Sequence, residues 1–171
     1  MKPKVDDVKL FALGPIETES VSAAKGPAIY ISRPDLPAYL DGKRLQFRKD
    51  NGEIGELKNA RWAEPLEEGV ARALAEYLLA SGEQQVSGFY PWPMRSRDGL
   101  ELRVHFYKLG ALASGEIRMV ANWELRDSKQ ILKAGKYQSE GITWVLGQAE
   151  SQVEGLNRAL AQLALEVSAS L

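Results

Sequence analysis

One run of residues sets the rest of the chain in order: Asn59-Ala-Arg-Trp-Ala-Glu-Pro-Leu-Glu-Glu-Gly-Val-Ala-Arg-Ala-Leu-Ala-Glu-Tyr-Leu-Leu-Ala-Ser-Gly82. Pro65 has no amide proton, which suits it to the start of a helix, and Gly82 suits the end because glycine readily adopts the left-handed conformation found there. The acidic residues around the start favour the positive end of the helix dipole: Glu64, Glu67 and Glu68. Both ends of a helix are therefore predicted.

This helix is predicted to be amphipathic. Its apolar residues recur at spacings of three and four, which places them on one face: Leu66, Val70, Ala73, Leu74, Tyr77 and Leu78. Polar residues fall on the opposite face, toward water: Glu68, Arg72 and Glu76. We expect the apolar face and Trp62 to be buried against a sheet, because strand patterns occur on both sides of the helix in the chain.

The segments before the helix predict short strands. Their apolar or alternating residues are bounded by proline and glycine at 10–13, 27–32, 44–48 and 53–57. The strand 27–32 is expected to be central, and the last two are expected to form a hairpin through Asp50-Asn-Gly52. Residues 16–25 predict a loop, and the two prolines of 33–42 allow only a short helical turn at 38–40.

The segments after the helix predict more strands and a second helix. Strands are predicted at 85–90, 100–109, 117–125 and, more weakly, 131–137, with residues 110–115 joining the second and third as an antiparallel hairpin. From Thr143 to the end one apolar stripe predicts a long amphipathic helix: Ala149, Val153, Leu156, Leu160, Leu163, Val167 and Leu171.

The order of these elements predicts the α+β class. We expect a single mixed or antiparallel sheet with two main amphipathic helices packed on one face. The length of 171 residues suits one domain, so we expect a flexible lead-in at 1–9 and a single domain at 10–171.

Composition excludes several kinds of protein. The chain has 22 basic and 23 acidic residues without a basic cluster, so a nucleic-acid interface is not expected. It has no cysteine, which excludes disulfides and thiolate chemistry but leaves the compartment open. No run is long enough for a membrane span, and Met1-Lys-Pro-Lys4 is not followed by the apolar core of a signal peptide.

No residues suggest catalysis, a cofactor or a metal. His105 is the single histidine, and its strand pattern places it on a polar face as a bystander. The glycines of 110–115 lack the strand-to-helix setting of a phosphate loop. Neighbouring acids such as Glu67-Glu68 and Asp6-Asp7 fall on solvated faces, where nothing would raise their pKa.

Two proline-framed apolar segments stand out, Leu36-Pro-Ala-Tyr-Leu40 and Phe89-Tyr-Pro-Trp-Pro-Met94. Each is either a lid that closes an end of the sheet or a patch presented to a partner, and the sequence leaves both interpretations open. The candidate interface residues are Leu36, Tyr39, Leu40, Phe89, Tyr90, Trp92 and Met94.

Several blocks resemble the ABC-type transport auxiliary lipoproteins, which include the paraquat-inducible protein C-like, MCE-associated lipoproteins. These blocks are Phe11-Ala-Leu-Gly-Pro15, Ile29 leading to Leu36-Pro-Ala-Tyr-Leu-Asp41, Arg61-Trp-Ala-Glu-Pro-Leu66 and Ala121-Asn-Trp-Glu-Leu125, with an amphipathic helix closing the chain. The resemblance covers nearly the whole chain from Leu10 onward.

The resemblance implies a non-catalytic protein that is lipid-anchored in the periplasm of a Gram-negative bacterium, at the outer membrane. Its implied partners are MCE-type or ABC transporter subunits that carry lipids or other hydrophobic solutes between the inner and outer membranes, and self-association into a ring is also implied. The family's anchor cysteine is missing here, so we expect that a leader and that cysteine precede Met1 in the full protein. The alternative is a soluble cytoplasmic α+β domain that binds a small ligand or has a regulatory role.

Overall fold

A computed structural model of the protein describes residues 7–17, 26–95 and 98–171. The described chain contains these elements in order: β1 (Lys9–Phe11), β2 (Ile29–Ile31), a 3-10 turn (Ala38–Leu40), β3 (Arg44–Arg48), β4 (Ile54–Trp62), α1 (Leu66–Ala80), β5 (Val86–Phe89), β6 (Leu100–Leu112), β7 (Ile117–Arg126), β8 (Ile131–Gln138) and α2 (Ala149–Ala169). Most of the predicted lead-in, most of the predicted loop 16–25, and Asp6 lie outside the described ranges.

The strands form one mixed sheet around β6. β7 pairs antiparallel along one edge of β6, and β8 pairs antiparallel with β7. The other edge is shared, because β2 pairs in parallel with the start of β6 and β3 pairs in parallel with its end. β5 lies beyond β2, while β4 and then β1 lie beyond β3. With 13 residues, β6 is long enough to hold two short strands end to end.

Both helices cover one face of this sheet and contact each other. The alternation in β7 works as predicted, because the residues that face the helices are all buried: Ile117, Met119, Ala121, Trp123 and Leu125. The predicted face of α1 is buried as well, except Tyr77, which is half-buried. The predicted α+β class, with a mixed sheet and two helices, is confirmed.

Helix α1 begins and ends where the local signals predict. Its first residue follows Pro65, and Gly82 just beyond its end has φ of +75°, the left-handed conformation that glycine favours. The polar face is less solvated than predicted, because Arg72 is half-buried. Its guanidinium donates to the Leu13 carbonyl at 2.9 Å and pairs with Glu76 at 3.0 Å and with Glu64.

Two aromatic rings occupy the space beside glycines on neighbouring strands. Phe47 is the direct antiparallel partner of Gly55, and Trp123 is the partner of Gly135. A Cβ on Gly135 would lie 2.6 Å from the indole of Trp123, and one on Gly55 would overlap the ring of Phe47. These glycines therefore make room for large side chains between the sheet and the segments that cover it.

The second helix begins later than the sequence predicts. Residues 143–148 are not helical, because Trp144 is bound to the β6–β7 hairpin through its backbone nitrogen to Gly115, at 2.9 Å, and its indole nitrogen to Leu112, at 2.8 Å. The prediction that Leu171 belongs to the apolar stripe of this helix was also wrong, since Leu171 lies beyond the end of α2 and is 47% exposed. β6 also continues to Leu112, which shortens the predicted link between the hairpin strands.

Candidate interaction surface

The seven candidate interface residues lie in two loops at one end of α1. We call residues 33–43, between β2 and β3, the proline loop, and residues 89–94, which begin at the end of β5, the aromatic segment. The seven residues differ in their exposure to solvent. Leu36, Leu40, Phe89 and Tyr90 are half-buried and pack against the core, whereas three side chains are exposed: Tyr39 at 43%, Trp92 at 61% and Met94 at 36%.

The proline loop leaves the sheet in a defined place. Asp35 still pairs with β6, because its nitrogen donates to Val104 at 3.0 Å and its carbonyl accepts from Phe106 at 2.8 Å. A 3-10 turn then follows, in which the Leu40 nitrogen donates to the Pro37 carbonyl at 3.0 Å. Since proline fixes its own backbone angle, the loop has little freedom, and it holds Tyr39 outward while Leu40 points toward the core.

Hydrogen bonds and ring contacts hold the aromatic segment. The rings of Phe89 and Trp92 stack with their centroids 4.8 Å apart, and the backbone nitrogen of Trp92 donates to the backbone carbonyl of Phe89 at 3.0 Å. The hydroxyl of Tyr30, on β2, donates to the Trp92 carbonyl. Burial raises the pKa of this hydroxyl, which is protonated and able to donate at neutral pH even at its ordinary pKa. Trp92 is thus exposed but fixed in place.

Arg33 and Glu67 join the two loops. The Arg33 guanidinium lies 5.6 Å from the centroid of the Tyr90 ring, within reach of a cation–π contact, and pairs with the Glu67 carboxylate of α1 at 3.2 Å. The Tyr90 hydroxyl lies 3.4 Å from the same carboxylate. The hydrogen bond that the Arg33 guanidinium donates to Glu67 raises the pKa of Arg33 above its already high ordinary value. The proline loop and the aromatic segment therefore meet at the start of α1.

A cleft of 580 Å³ lies between the proline loop and the first residues of α1. The prolines and leucines of both elements form its apolar walls. Its charged residues carry both signs: Arg33, Lys43, Asp35, Asp41 and Glu67. Because neither sign dominates, charge alone does not select a ligand for this cleft.

The structure places His105 where the strand pattern predicts. Its side chain is 52% exposed on the sheet face opposite the helices. The ring contacts Tyr107 edge-on with centroids 4.6 Å apart, and its Nδ1 lies 3.6 Å from an Asp35 carboxylate oxygen. Within residues 7–17, 26–95 and 98–171, no group of three or more histidine or acidic side chains is arranged to hold a metal ion.

Sequence reasoning missed the residues that connect the two loops. Tyr30, Arg33 and Glu67 each bind a partner more than 20 positions away in the chain, and no local pattern signals such contacts. A weak hint was available for Tyr30, since it interrupts the aliphatic run of a buried strand and a buried tyrosine usually needs an acceptor for its hydroxyl.

Comparison with known proteins gives the family. The sequence model of the family described as ABC-type transport auxiliary lipoprotein component matches residues 11–168. The chain belongs to this family. The match includes both candidate loops and every strand and helix, except the first two residues of β1 and the last residue of α2. No curated protein matches the sequence.

Solved structures share the fold of this auxiliary lipoprotein. An uncharacterized protein, 16% identical, has a TM-score of 0.73, and the alignment covers 95% of this chain and 98% of that one. Protein XCC0632 from Xanthomonas campestris, 15% identical, has a TM-score of 0.67, and the alignment covers 94% of this chain and 90% of that one.

Among the helices in the described residues, none combines the length and apolar character needed to cross a bilayer.

Proposed function

We propose that this auxiliary lipoprotein is a non-catalytic subunit of an MCE-type ABC transport system. It works beside subunits that move lipids or other hydrophobic solutes between the inner and outer membranes of a Gram-negative bacterium. It is held in the periplasm, at the outer membrane, by a lipid anchor. Membership of the family supports the transport role. The resemblance of the sequence blocks to the MCE-associated lipoproteins supports the MCE-type partners, the hydrophobic cargo and the location at the outer membrane.

The observation that carries the proposal is the joined surface of the proline loop and the aromatic segment. Tyr39 and Trp92 are large, exposed aromatic side chains held on constrained backbone. Such residues lose little conformational entropy on binding, and aromatic residues often provide much of the binding energy of an interface. A surface that presents exposed aromatic side chains to a partner suits an accessory subunit.

The experiment is co-purification of the transporter subunits from membranes with the protein expressed from its own gene. Tyr39→Asp and Trp92→Asp are expected to reduce the recovered transporter subunits while leaving the melting temperature nearly unchanged. The matched control is Leu165→Asp on α2, where a side chain that is 59% exposed lies outside both loops. Equal recovery with all three variants would show that the loops are lids only, and absence of transporter subunits from the wild-type preparation would contradict the transport role.

The 580 Å³ cleft favours a second candidate, a domain that binds a small ligand in the cytoplasm. Ligand pockets commonly enclose roughly 300–1,000 Å³, so the volume is adequate. The two candidates differ in anchoring. Labelling of the protein expressed from its own gene with a fatty acid, followed by separation of inner and outer membranes, is expected to find it lipidated in the outer-membrane fraction. An unlabelled protein in the cytosolic fraction would favour the ligand-binding domain.

A further inference from the structure

The long strand β6 is incompletely covered along one edge. On that edge, the pairing of β2 and of the residues after it reaches only to His105, and the pairing of β3 begins at Ala111. In the described part of the chain, residues 107–110 of β6 therefore have no strand beside them on this edge. A groove of 40 Å³ lies at this gap, between β6 and the 3-10 turn of the proline loop.

A β-bulge places a lysine at this groove. Phe106 and Lys108 face consecutive residues of β7, so Tyr107 is an extra residue in β6. Tyr107 and Lys108 are therefore both exposed, although strict alternation would direct one of them toward the core. Residues two apart in a strand lie on the same side, so Lys108 shares the sheet face away from the helices with Gly110 and Leu112.

Two arginines on the neighbouring strands lie on the same face. Arg118 of β7 is the direct partner of Gly110, and Arg48 of β3 is the direct partner of Leu112. A Cβ placed on Gly110 would have no atom within 4 Å apart from its chain neighbours. The groove is therefore open at Gly110, among three basic side chains that line it: Arg48, Lys108 and Arg118.

The charges around the groove have one sign. Among the described residues that line it, three are basic and none is acidic. Arg118 is already paired with Glu116 at 2.9 Å, but within residues 7–17, 26–95 and 98–171 neither Arg48 nor Lys108 has an ion-pair partner. Both of these side chains are exposed. A ligand with two negative charges can therefore pair with them without breaking an existing ion pair.

The size of the groove limits what can enter it. Its walls are largely apolar and include Tyr39, Leu40, Ile54 and Leu112. One water molecule needs roughly 10–15 Å³, so a groove of 40 Å³ has room for about three groups of that size. One aliphatic side chain fits this space, whereas the long acyl chains of a membrane lipid do not.

We propose that this groove binds an acidic segment of a partner protein. One aliphatic side chain of that segment enters the groove, and the carboxylates beside it pair with Arg48 and Lys108. The exposed ring of Tyr39 contributes to the rim, so the groove extends the surface of the proline loop onto the sheet face away from the helices. This site does not depend on the proposed transport role.

A nuclear magnetic resonance titration with a defined peptide tests the site. The probe is an acetylated and amidated peptide in which one leucine lies between two pairs of glutamates. We expect saturable shifts centred on the backbone amides of Lys108, Gly110 and Arg118, and weaker binding when serine replaces the leucine. A peptide with lysines in place of the glutamates should not bind. Shifts centred elsewhere, or equal binding of the leucine and serine peptides, would overturn the proposal.

Charge reversal in the protein gives a second test. Lys108→Glu and Arg48→Glu should each weaken binding of the leucine peptide by roughly three- to tenfold, because attraction between exposed charges becomes repulsion. The matched control is Lys136→Glu, at an exposed lysine of β8 outside the groove, which should bind the peptide like the wild type. Equal losses in all three variants would show unspecific attraction and refute the site. So would a protein that ignores the peptide but binds phosphatidylglycerol vesicles through Lys108, since the groove would then be a lipid site.

Discussion

Tyr137 shows how one polar side chain is held between the sheet and a helix. The residue is 6% exposed, and its hydroxyl donates to the Gln162 side chain of α2 at 2.8 Å. Burial, with a smaller contribution from the Glu166 carboxylate, raises the pKa of Tyr137 from 10.0 to about 12. The folded state therefore favours the protonated phenol.

This raised pKa predicts a loss of stability at alkaline pH. The unfolded chain begins to lose the proton near pH 10, whereas the folded protein keeps it until about pH 12. The contribution of Tyr137 is thus complete below pH 10 and declines as the pH rises through this window. Urea denaturation across the window is expected to show a shallower decline for Tyr137→Phe than for the wild type. The same slope for both proteins would contradict the raised pKa.

His105 is expected to be dispensable. Its imidazole is half-exposed, and the nearest carboxylate, on Asp35, is itself 76% exposed. Contacts between such exposed groups contribute little to stability, about 0 to 1 kcal/mol. His105→Ala should therefore leave the melting temperature and transport in cells essentially unchanged. Loss of transport with normal folding and abundance would show that His105 has a role that its position does not suggest.

At the scale of elements, α1 supplies a central part of the core. Leu74 is fully buried between the helix and the sheet. Truncating a leucine in such a place leaves a cavity and typically costs about 2 to 5 kcal/mol. Leu74→Ala is expected to lower the free energy of unfolding by this amount in urea denaturation. Leu165→Ala, at a site that is 59% exposed, should change it by less than about 0.5 kcal/mol. Similar values for the two variants would contradict the core assignment.

Elements bounded by local signals could be predicted from the sequence, and those bounded by distant contacts could not. Pro65 and Gly82 mark the ends of α1 through their own backbone preferences, and the structure agrees. The start of α2 depends instead on the bonds that Trp144 makes with the β6–β7 hairpin. The parallel pairing of β2 with β6 places Ile29 beside Leu100. It could not be predicted from local sequence, because no short turn connects these two strands.

The same limit applies to the candidate surface. Its exposed aromatic residues could be picked out as proline-framed apolar groups, but their common location depends on where α1 and β2 lie in the fold. Arg33 joins the two loops through Tyr90 and Glu67, which come from separate elements. Alternation could also not reveal that Tyr39 is exposed while Leu40, its neighbour, lines the 580 Å³ cleft.

For the molecule as a whole, charge gives little direction to assembly. The net charge is −1, and the 580 Å³ cleft carries both signs. Electrostatic steering by a strong overall field is therefore not expected to guide a partner. Apolar contact at a defined surface is the better-supported basis for association, and the proline loop and the aromatic segment form the surface where exposed aromatic residues are joined.

We predict that this surface also takes part in self-association. Tyr39 and Trp92 lie in loops that Arg33 and Glu67 hold together, so one neighbouring copy can cover both. A carboxylate introduced at either position would have to be desolvated in the interface, which is costly for an unpaired charge. Light scattering should therefore find a lower mass for Tyr39→Asp and Trp92→Asp than for the wild type at the same concentration. Leu165→Asp should keep the wild-type mass. If the wild type is an oligomer and the two loop variants, although folded, keep its mass, the self-association interface lies elsewhere on the molecule.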